Sequence, residues 1–173
     1  MDTMTNEEIG KINPARLDEA TIDRIARTAA KLMDGVTTFA QLKGISHEEL
    51  EAVYSIGLGY YRTGRYEDAE KLFRVLILLS HTSPKYYTAL GAVRQACRQY
   101  KEAMQAYAAA AMFDLHKPKP HFYAAQCALA LGDLDAAESG CRSLLHYCPA
   151  SPENNEFRAK AEKLLESVQN SRK

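Results

Sequence analysis

Residues 50–83 have the sequence LEAVYSIGLGYYRTGRYEDAEKLFRVLILLSHTS, and residues 84–117 and 118–151 repeat its pattern with a period of 34 residues. The second and third copies begin with proline, and proline occurs once more in phase at Pro152. Proline suits the first turn of a helix, because its missing N–H has no partner to lose there. A fixed period of this length predicts a stack of repeated helical units.

Small and large residues alternate in register along the three copies. The eighth and twentieth positions are small, and the twenty-fourth position carries a larger group: Gly57, Gly91, Ala125; Ala69, Ala103, Ala137; and Phe73, Tyr107, Cys141. Each copy also breaks in the middle, most clearly at Gly64 and Gly132, where glycine supplies the left-handed conformation that ends a helix. The second copy has Arg98 and Gln99 at this place. The unit is therefore predicted to be a helix, a short turn and a second helix.

The first copy resembles the consensus of the tetratricopeptide repeat (TPR) at Ile56-Gly57, Tyr60, Gly64, Tyr66, Ala69 and Phe73. This resemblance implies an all-α fold, a TPR helical solenoid of three repeats at 50–83, 84–117 and 118–151. Stacked hairpins share one continuous core, and their first helices line an inner face. Residues 152–173 are predicted to be a C-terminal capping helix and tail, with Pro152 opening the helix and apolar groups at helical spacing.

The first 49 residues do not follow the repeat. Residues 1–14 are polar and are predicted to be a flexible N-terminal arm, and residues 15–49 a helical region. Within it, apolar groups at three-and-four spacing from about Ala15 to Met33 predict an amphipathic helix, which Asp34 and Gly35 end. Ser46 and Glu49 form a capping box that starts the first repeat helix. The amphipathic helix is expected either to pack on the first repeat or to mediate dimerisation, and both can hold together.

Composition excludes several classes of function. The chain has 22 basic and 22 acidic residues, so it offers no net positive charge to a nucleic acid. Its longest apolar stretch is far shorter than the roughly 20 residues that cross a bilayer, so stable membrane insertion is not expected. The N-terminus lacks the cationic and apolar blocks of a secretory signal, which predicts a cytoplasmic protein.

No pattern of catalytic or metal-binding residues occurs. The five histidines are scattered and the four cysteines form no Cys-x-x-Cys pair. His116, His121 and Cys127 come nearest to a metal cluster, but two prolines intervene and no fourth ligand is evident. We therefore expect no enzyme, no catalytic residue, no metal and no cofactor.

The inner face of the solenoid is the candidate binding site. In a TPR stack it is built from the second, fifth, ninth and twelfth positions of each first helix, and aromatic and aliphatic groups there indicate a groove for a peptide. Thr88 and Ala92 would leave pockets between aromatic walls, and Lys85 and Lys119 would contact carbonyls or acidic side chains. Two alternatives stay open: the N-terminal arm covers these groups, or the repeat positions are misassigned by one residue and the groups belong to the core. The predicted peptide-binding residues are Tyr54, Leu58, Tyr61, Lys85, Thr88, Ala92, Gln95, Lys119, Phe122 and Gln126.

Several strings together resemble one bacterial family, the class II chaperones of type III secretion. They include Gly44-Ile45-Ser46, Gly64-Arg65-Tyr66-Glu67-Asp68-Ala69, Leu90-Gly91-Ala92-Val93-Arg94-Gln95 and His121-Phe122-Tyr123-Ala124-Ala125, and the likeness runs from about residue 30 to 168. The resemblance implies a bacterial cytoplasmic chaperone that keeps hydrophobic translocator proteins soluble before secretion. It further implies a homodimer through the N-terminal helices, and a proline- and leucine-containing client segment held extended in the groove. Tyr66 and Tyr107 match tyrosines tied to client binding in the family, although their frame positions predict packing between helices.

A general TPR adaptor that joins other proteins would use the same groove. Co-purification of a translocator-like protein with apolar helices would distinguish the chaperone from the adaptor.

Overall fold

The computed structural model describes residues 18–35 and 37–171, which form two compact units divided between Thr38 and Phe39. In the first unit, helix α1 spans Glu19–Met33. Its start is held by Asp18, whose carboxylate accepts a hydrogen bond of 2.6 Å from the N–H of Thr21. The flexible arm expected at residues 1–14, and the start of the helix expected from Ala15, lie outside the described residues.

The second unit is a series of helical hairpins, and the part of the chain that the structure describes contains no strand. Each helix from α3 to α9 packs against the next, and the alternate helices α3, α5, α7 and α9 also touch in that order. The predicted all-α class and the TPR-like stack of three hairpins with a C-terminal helix are confirmed. The helices are α2 (Phe39–Leu42), α3 (His47–Arg62), α4 (Tyr66–Leu79), α5 (Pro84–Ala96), α6 (Tyr100–Phe113), α7 (Pro118–Ala130), α8 (Leu134–Tyr147) and α9 (Asn155–Asn170).

The helix starts follow the expected local chemistry in three of four cases. The N–H of Glu49 donates to Ser46 Oγ at 3.2 Å and the N–H of Ser46 donates to Glu49 Oε2 at 2.8 Å, which completes the capping box of α3. Pro84 and Pro118 are the first residues of α5 and α7. Helix α9, however, begins at Asn155 and not at Pro152: residues 152–154 form a turn, in which the N–H groups of Asn154 and Asn155 both donate to the carbonyl of Ser151.

The turn inside each hairpin adopts a left-handed backbone at the same place in the repeat. Gly64 has a φ of 77° and Gly132 a φ of 76°, and Arg98 occupies the equivalent position with a φ of 59°. A left-handed conformation costs a residue with a Cβ roughly 1–2 kcal/mol, whereas glycine adopts it freely. The second hairpin therefore carries backbone strain that the first and third avoid.

The two helices of each hairpin meet where the small and large positions face each other. A Cβ added to Gly57 would lie 2.7 Å from the ring of Phe73, and one added to Gly91 would lie 2.6 Å from the ring of Tyr107. In the third hairpin the larger Ala125 faces the smaller Cys141 and Gly140 instead, and a Cβ on Gly140 would lie 2.9 Å from that of Ala125. In the third hairpin, therefore, the close approach is made by small residues on both helices.

Replacing Gly57 by alanine should destabilise the protein by about 1–2 kcal/mol, because the overpacking cost against Phe73 exceeds the gain in helix propensity. Gly59→Ala is the matched control, since Gly59 lies on the same helix and nothing stands within 4 Å of an added Cβ. Thermal unfolding should show a lower Tm for the first variant and an unchanged or higher Tm for the second. Equal Tm values for the two variants would contradict the close contact.

Replacing Arg98 by glycine should stabilise the protein by about 0.5–1 kcal/mol, because relief of the left-handed strain exceeds the extra entropy of an unfolded glycine. This corresponds to a rise in Tm of about 2 °C for a chain of this size. Gly132→Ala, at the equivalent turn, is expected to lower the Tm by a similar or larger amount. A drop in the Tm of the Arg98 variant would rule out strain at this turn.

Candidate functional site

A cleft of about 600 Å³ opens at the N-terminal ends of α5, α7 and α9. Four of the ten predicted binding residues line it together: Tyr54, Lys85, Thr88 and Lys119. The other lining residues are Pro84, His116, Lys117, Pro118, Pro120, Pro149, Glu153, Asn154 and Phe157. The positions of the repeat therefore predicted four residues at one end of the cleft. They did not predict the prolines, or the residues at the start of α9 and in the turn before it.

The first wall of the cleft is an aromatic and ionic cluster. The ring of Tyr54 lies 5.7 Å from that of Phe73 and 5.8 Å from that of Tyr86, so one face of it is anchored in the core. The ammonium of Lys85 lies 4.2 Å from the centre of the Tyr54 ring and forms an ion pair with Glu51. Burial, followed by the charge of Glu51, raises the pKa of Tyr54, so its hydroxyl stays neutral. Lys85 is thus already engaged within the protein.

Further along the helices, the predicted residues Leu58, Tyr61, Ala92, Gln95 and Gln126 are half-buried and none of them lines the cleft. Two of them contact the tyrosines that the family resemblance singles out. The ring of Tyr61 lies 5.7 Å from that of Tyr66, and Gln95 Oε1 accepts a 2.8 Å hydrogen bond from the hydroxyl of Tyr107. Tyr107 is 1% exposed, which fits the packing role predicted from its frame position.

Phe122 is not a wall of an open groove, which corrects the sequence-based expectation. Its side chain is 6% exposed and packs edge-on against Phe157 of α9, with ring centres 5.7 Å apart, and against Tyr123 at 5.6 Å. The capping helix covers this position of the third repeat because α9 packs on α7 as well as on α8. Phe157 reaches the cleft in its place. Its position on the apolar face of the capping helix was visible in the sequence, but its contact with α7 was not.

Two buried cysteines and two histidines of the described residues make contacts within the fold. Burial raises the pKa of both Cys127 and Cys141 to about 11, so these thiols stay protonated near neutral pH. The ring of buried His121 contacts the carbonyl of Leu115 at 3.0 Å, and that of His116 contacts the carbonyl of Tyr147 at 2.8 Å. Over residues 18–35 and 37–171, no three potential metal ligands come together.

Within the same described ranges, no helix combines the length and the hydropathy needed to pass through a bilayer.

No family model matches the chain. Its family is shown instead by individual relatives. Low calcium response locus protein H of Yersinia pseudotuberculosis is 37% identical over 136 residues, which cover 79% of this chain and 81% of that protein.

Solved structures agree with this relationship. A type III secretion complex from Aeromonas hydrophila matches with a TM-score of 0.80 and 38% identity, over 85% of this chain and 97% of that one. The chaperone SycD of Yersinia enterocolitica has been solved with a peptide of the translocator YopD and as an alternative dimer; each structure matches with a TM-score of 0.70 and 36% identity, over 75% of this chain and 98% of that one. The chain therefore belongs to the family of type III secretion translocator chaperones that includes low calcium response locus protein H and SycD.

Proposed function

We propose that this protein is a cytoplasmic bacterial chaperone that binds hydrophobic type III secretion translocator proteins and keeps them soluble before secretion. It holds an extended segment of the client, containing proline and leucine, against the row of helices α3, α5 and α7. The observation that carries the proposal is the cleft of about 600 Å³, walled by prolines and the rings of Tyr54 and Phe157, in a chain whose relative SycD binds a translocator peptide.

The physical basis is coverage of apolar client surface. An extended peptide that is rich in proline is already ordered, so it loses little conformational entropy on binding. Proline and aromatic walls remove its apolar side chains from water, which suppresses their association with other copies of the client. Half-buried residues beyond the cleft, from Leu58 to Gln126, extend the contact surface along the helices. The peptide-binding set proposed is the predicted one without Phe122, with Phe157 in its place.

The relatives are chaperones, which is a non-enzymatic role. We extend this role to the present chain and propose that it acts by binding and release alone, with no catalytic residue and no cofactor. The high pKa values of Cys127 and Cys141 support this view, because a nucleophilic thiol needs a depressed pKa.

We also propose that the chain forms a homodimer through its N-terminal region. Helix α1 is amphipathic, and Ile22 and Met33 on it are exposed. Apolar groups of this kind are commonly covered by a second subunit. SycD, a relative, has been solved as a dimer.

A general adaptor for unrelated proteins is the second candidate, since the cleft would accept other extended apolar peptides. Affinity purification from a bacterium that carries the gene distinguishes the two. A hydrophobic secreted protein with apolar helices supports the chaperone, and its absence among stable partners supports the adaptor.

Ala92→Arg should weaken binding of a client peptide by about tenfold or more, because a long charged side chain would occupy the space between the first helices. The measurement is a fluorescence anisotropy titration with a labelled peptide from the co-purified translocator. Ala108→Arg is the matched control, since Ala108 is exposed on α6, outside the row of first helices. Both variants should keep the helical circular dichroism spectrum. Unchanged binding by the Ala92 variant would show that the client does not bind along this row of helices.

Deleting residues 1–34 should lower the oligomeric mass from that of two chains to that of one, because the deletion removes α1. Multi-angle light scattering gives the mass, and thermal unfolding checks that the repeats stay folded. The compact unit that begins at Phe39 does not include the deleted residues, so it is expected to survive. A dimer that persists in the truncated protein would place the interface elsewhere.

A further inference from the structure

The charges around the cleft are unevenly balanced. Its lining includes three lysines, Lys85, Lys117 and Lys119, and one carboxylate, that of Glu153. Lys85 is neutralised by its ion pair with Glu51. Lys117 and Lys119 are exposed, and neither forms an ion pair within the described part of the chain. The surplus positive charge therefore lies at the start of α7.

The repeat explains why this surplus exists. Glu51, Lys85 and Lys119 occupy the same position of three successive repeats, each 34 residues from the last. Glu51 of the first repeat pairs with Lys85 of the second across adjacent helices. The residue that would stand in the same relation to Lys119 is Lys85, which has the same charge. The third repeat thus presents a lysine whose equivalent partner in the preceding repeat cannot be an acid.

Of the two carboxylates near these lysines, Glu156 and Glu153, the first is already paired. Glu156 on α9 forms an ion pair with Lys160. That hydrogen bond lowers the pKa of Glu156, and the charge of Lys119 contributes in the same direction to a smaller extent. Glu153, on the turn before α9, is exposed. One exposed carboxylate therefore faces two exposed ammonium groups in the cleft.

The first turn of α7 adds to this positive potential. Its N-cap is Lys117, which makes no side-chain cap, and the helix runs for 13 residues from Pro118. The aligned peptide dipoles of such a helix place partial positive charge at its start. The adjoining apolar walls reduce the exposure of a bound group to water, so attraction there is screened less than on an open surface.

We propose that the client segment bound in this cleft carries an acidic side chain beside its apolar anchor, and that Lys119 binds this acid as Lys85 binds Glu51. The proposal rests on the proposed function, since it names the chemistry of the segment that the same groove holds. Apolar contact with the prolines and Phe157 supplies affinity, and the lysine selects the register of the extended segment. Lys117 assists by adding positive charge at the mouth of the cleft.

The test uses the full chain and a set of overlapping 20-residue peptides covering the translocator that co-purifies with it. The tightest-binding peptide should contain Asp or Glu. Lys119→Ala, and separately replacement of that acid by its amide, should each weaken binding roughly fivefold, the size of a partly exposed ion pair. The two changes together should weaken binding no further than either alone. Affinity for the unmodified peptide should fall with added salt, and this dependence should flatten in the Lys119 variant.

Lys101→Ala is the matched control, because Lys101 is an exposed lysine on α6 that does not line the cleft. It should leave the dissociation constant unchanged. Lys119→Glu should bind a peptide with lysine in place of the acid better than it binds the original peptide.

Three results would overturn the proposal, and they are distinguishable. Thr88→Trp, which adds bulk at another residue that lines the cleft, separates the first two. If Lys119→Ala keeps full affinity while Thr88→Trp weakens it, the cleft binds clients but does not bind an acidic side chain. If Thr88→Trp also keeps full affinity, the cleft is not the binding site and the proposed function loses its site. Tight peptides that lack any acidic residue would likewise exclude the ion pair.

Discussion

The contact between a glycine on the first helix and a ring on the second, in the first two hairpins, is the constraint on which this structure depends. Gly57 against Phe73 and Gly91 against Tyr107 fix how closely the helices approach, since a methyl group at either glycine would overlap a buried ring. The same helices, α3 and α5, carry Tyr54, Lys85 and Thr88 to the cleft. Residues of the core and residues of the cleft therefore share these two helices.

The cleft joins two kinds of interaction that act at different ranges. Proline and aromatic walls provide short-range apolar contact, whereas the lysines act over several ångströms. Lys85 is held between Glu51 and the ring of Tyr54, which stiffens the wall and removes a charge that would otherwise need a partner. Lys119 lacks that arrangement although it occupies the equivalent position. Residues at equivalent positions of a repeat can therefore differ in their interactions, because the residue at that position in the preceding repeat differs.

Much of this was predictable from sequence, because the signals were local or periodic. The 34-residue period, the prolines at helix starts and the glycines in left-handed turns placed the three hairpins correctly. The burial of Phe122 was not predictable, because it depends on where α9 packs. The contact with α9 lies outside the repeats, so the 34-residue period gives no information about it. The start of α9 at Asn155 was also missed, because a proline is compatible with the first turn of a helix but does not require one, and residues 152–154 form a turn instead. The sequence places Arg98 at the position of Gly64 and Gly132, and the backbone shows that it adopts their left-handed conformation.

Because Phe157 lines the cleft, the cleft is completed late in the synthesis of the chain. This ring belongs to α9, the last helix of the described residues, and it completes a surface whose other walls come from residues 54–154. During translation the first two hairpins can leave the ribosome and fold while α9 is still being made. The cleft is therefore complete only once α9 has been made and has packed on α7 and α8, and a nascent chain shorter than this lacks one wall of that surface.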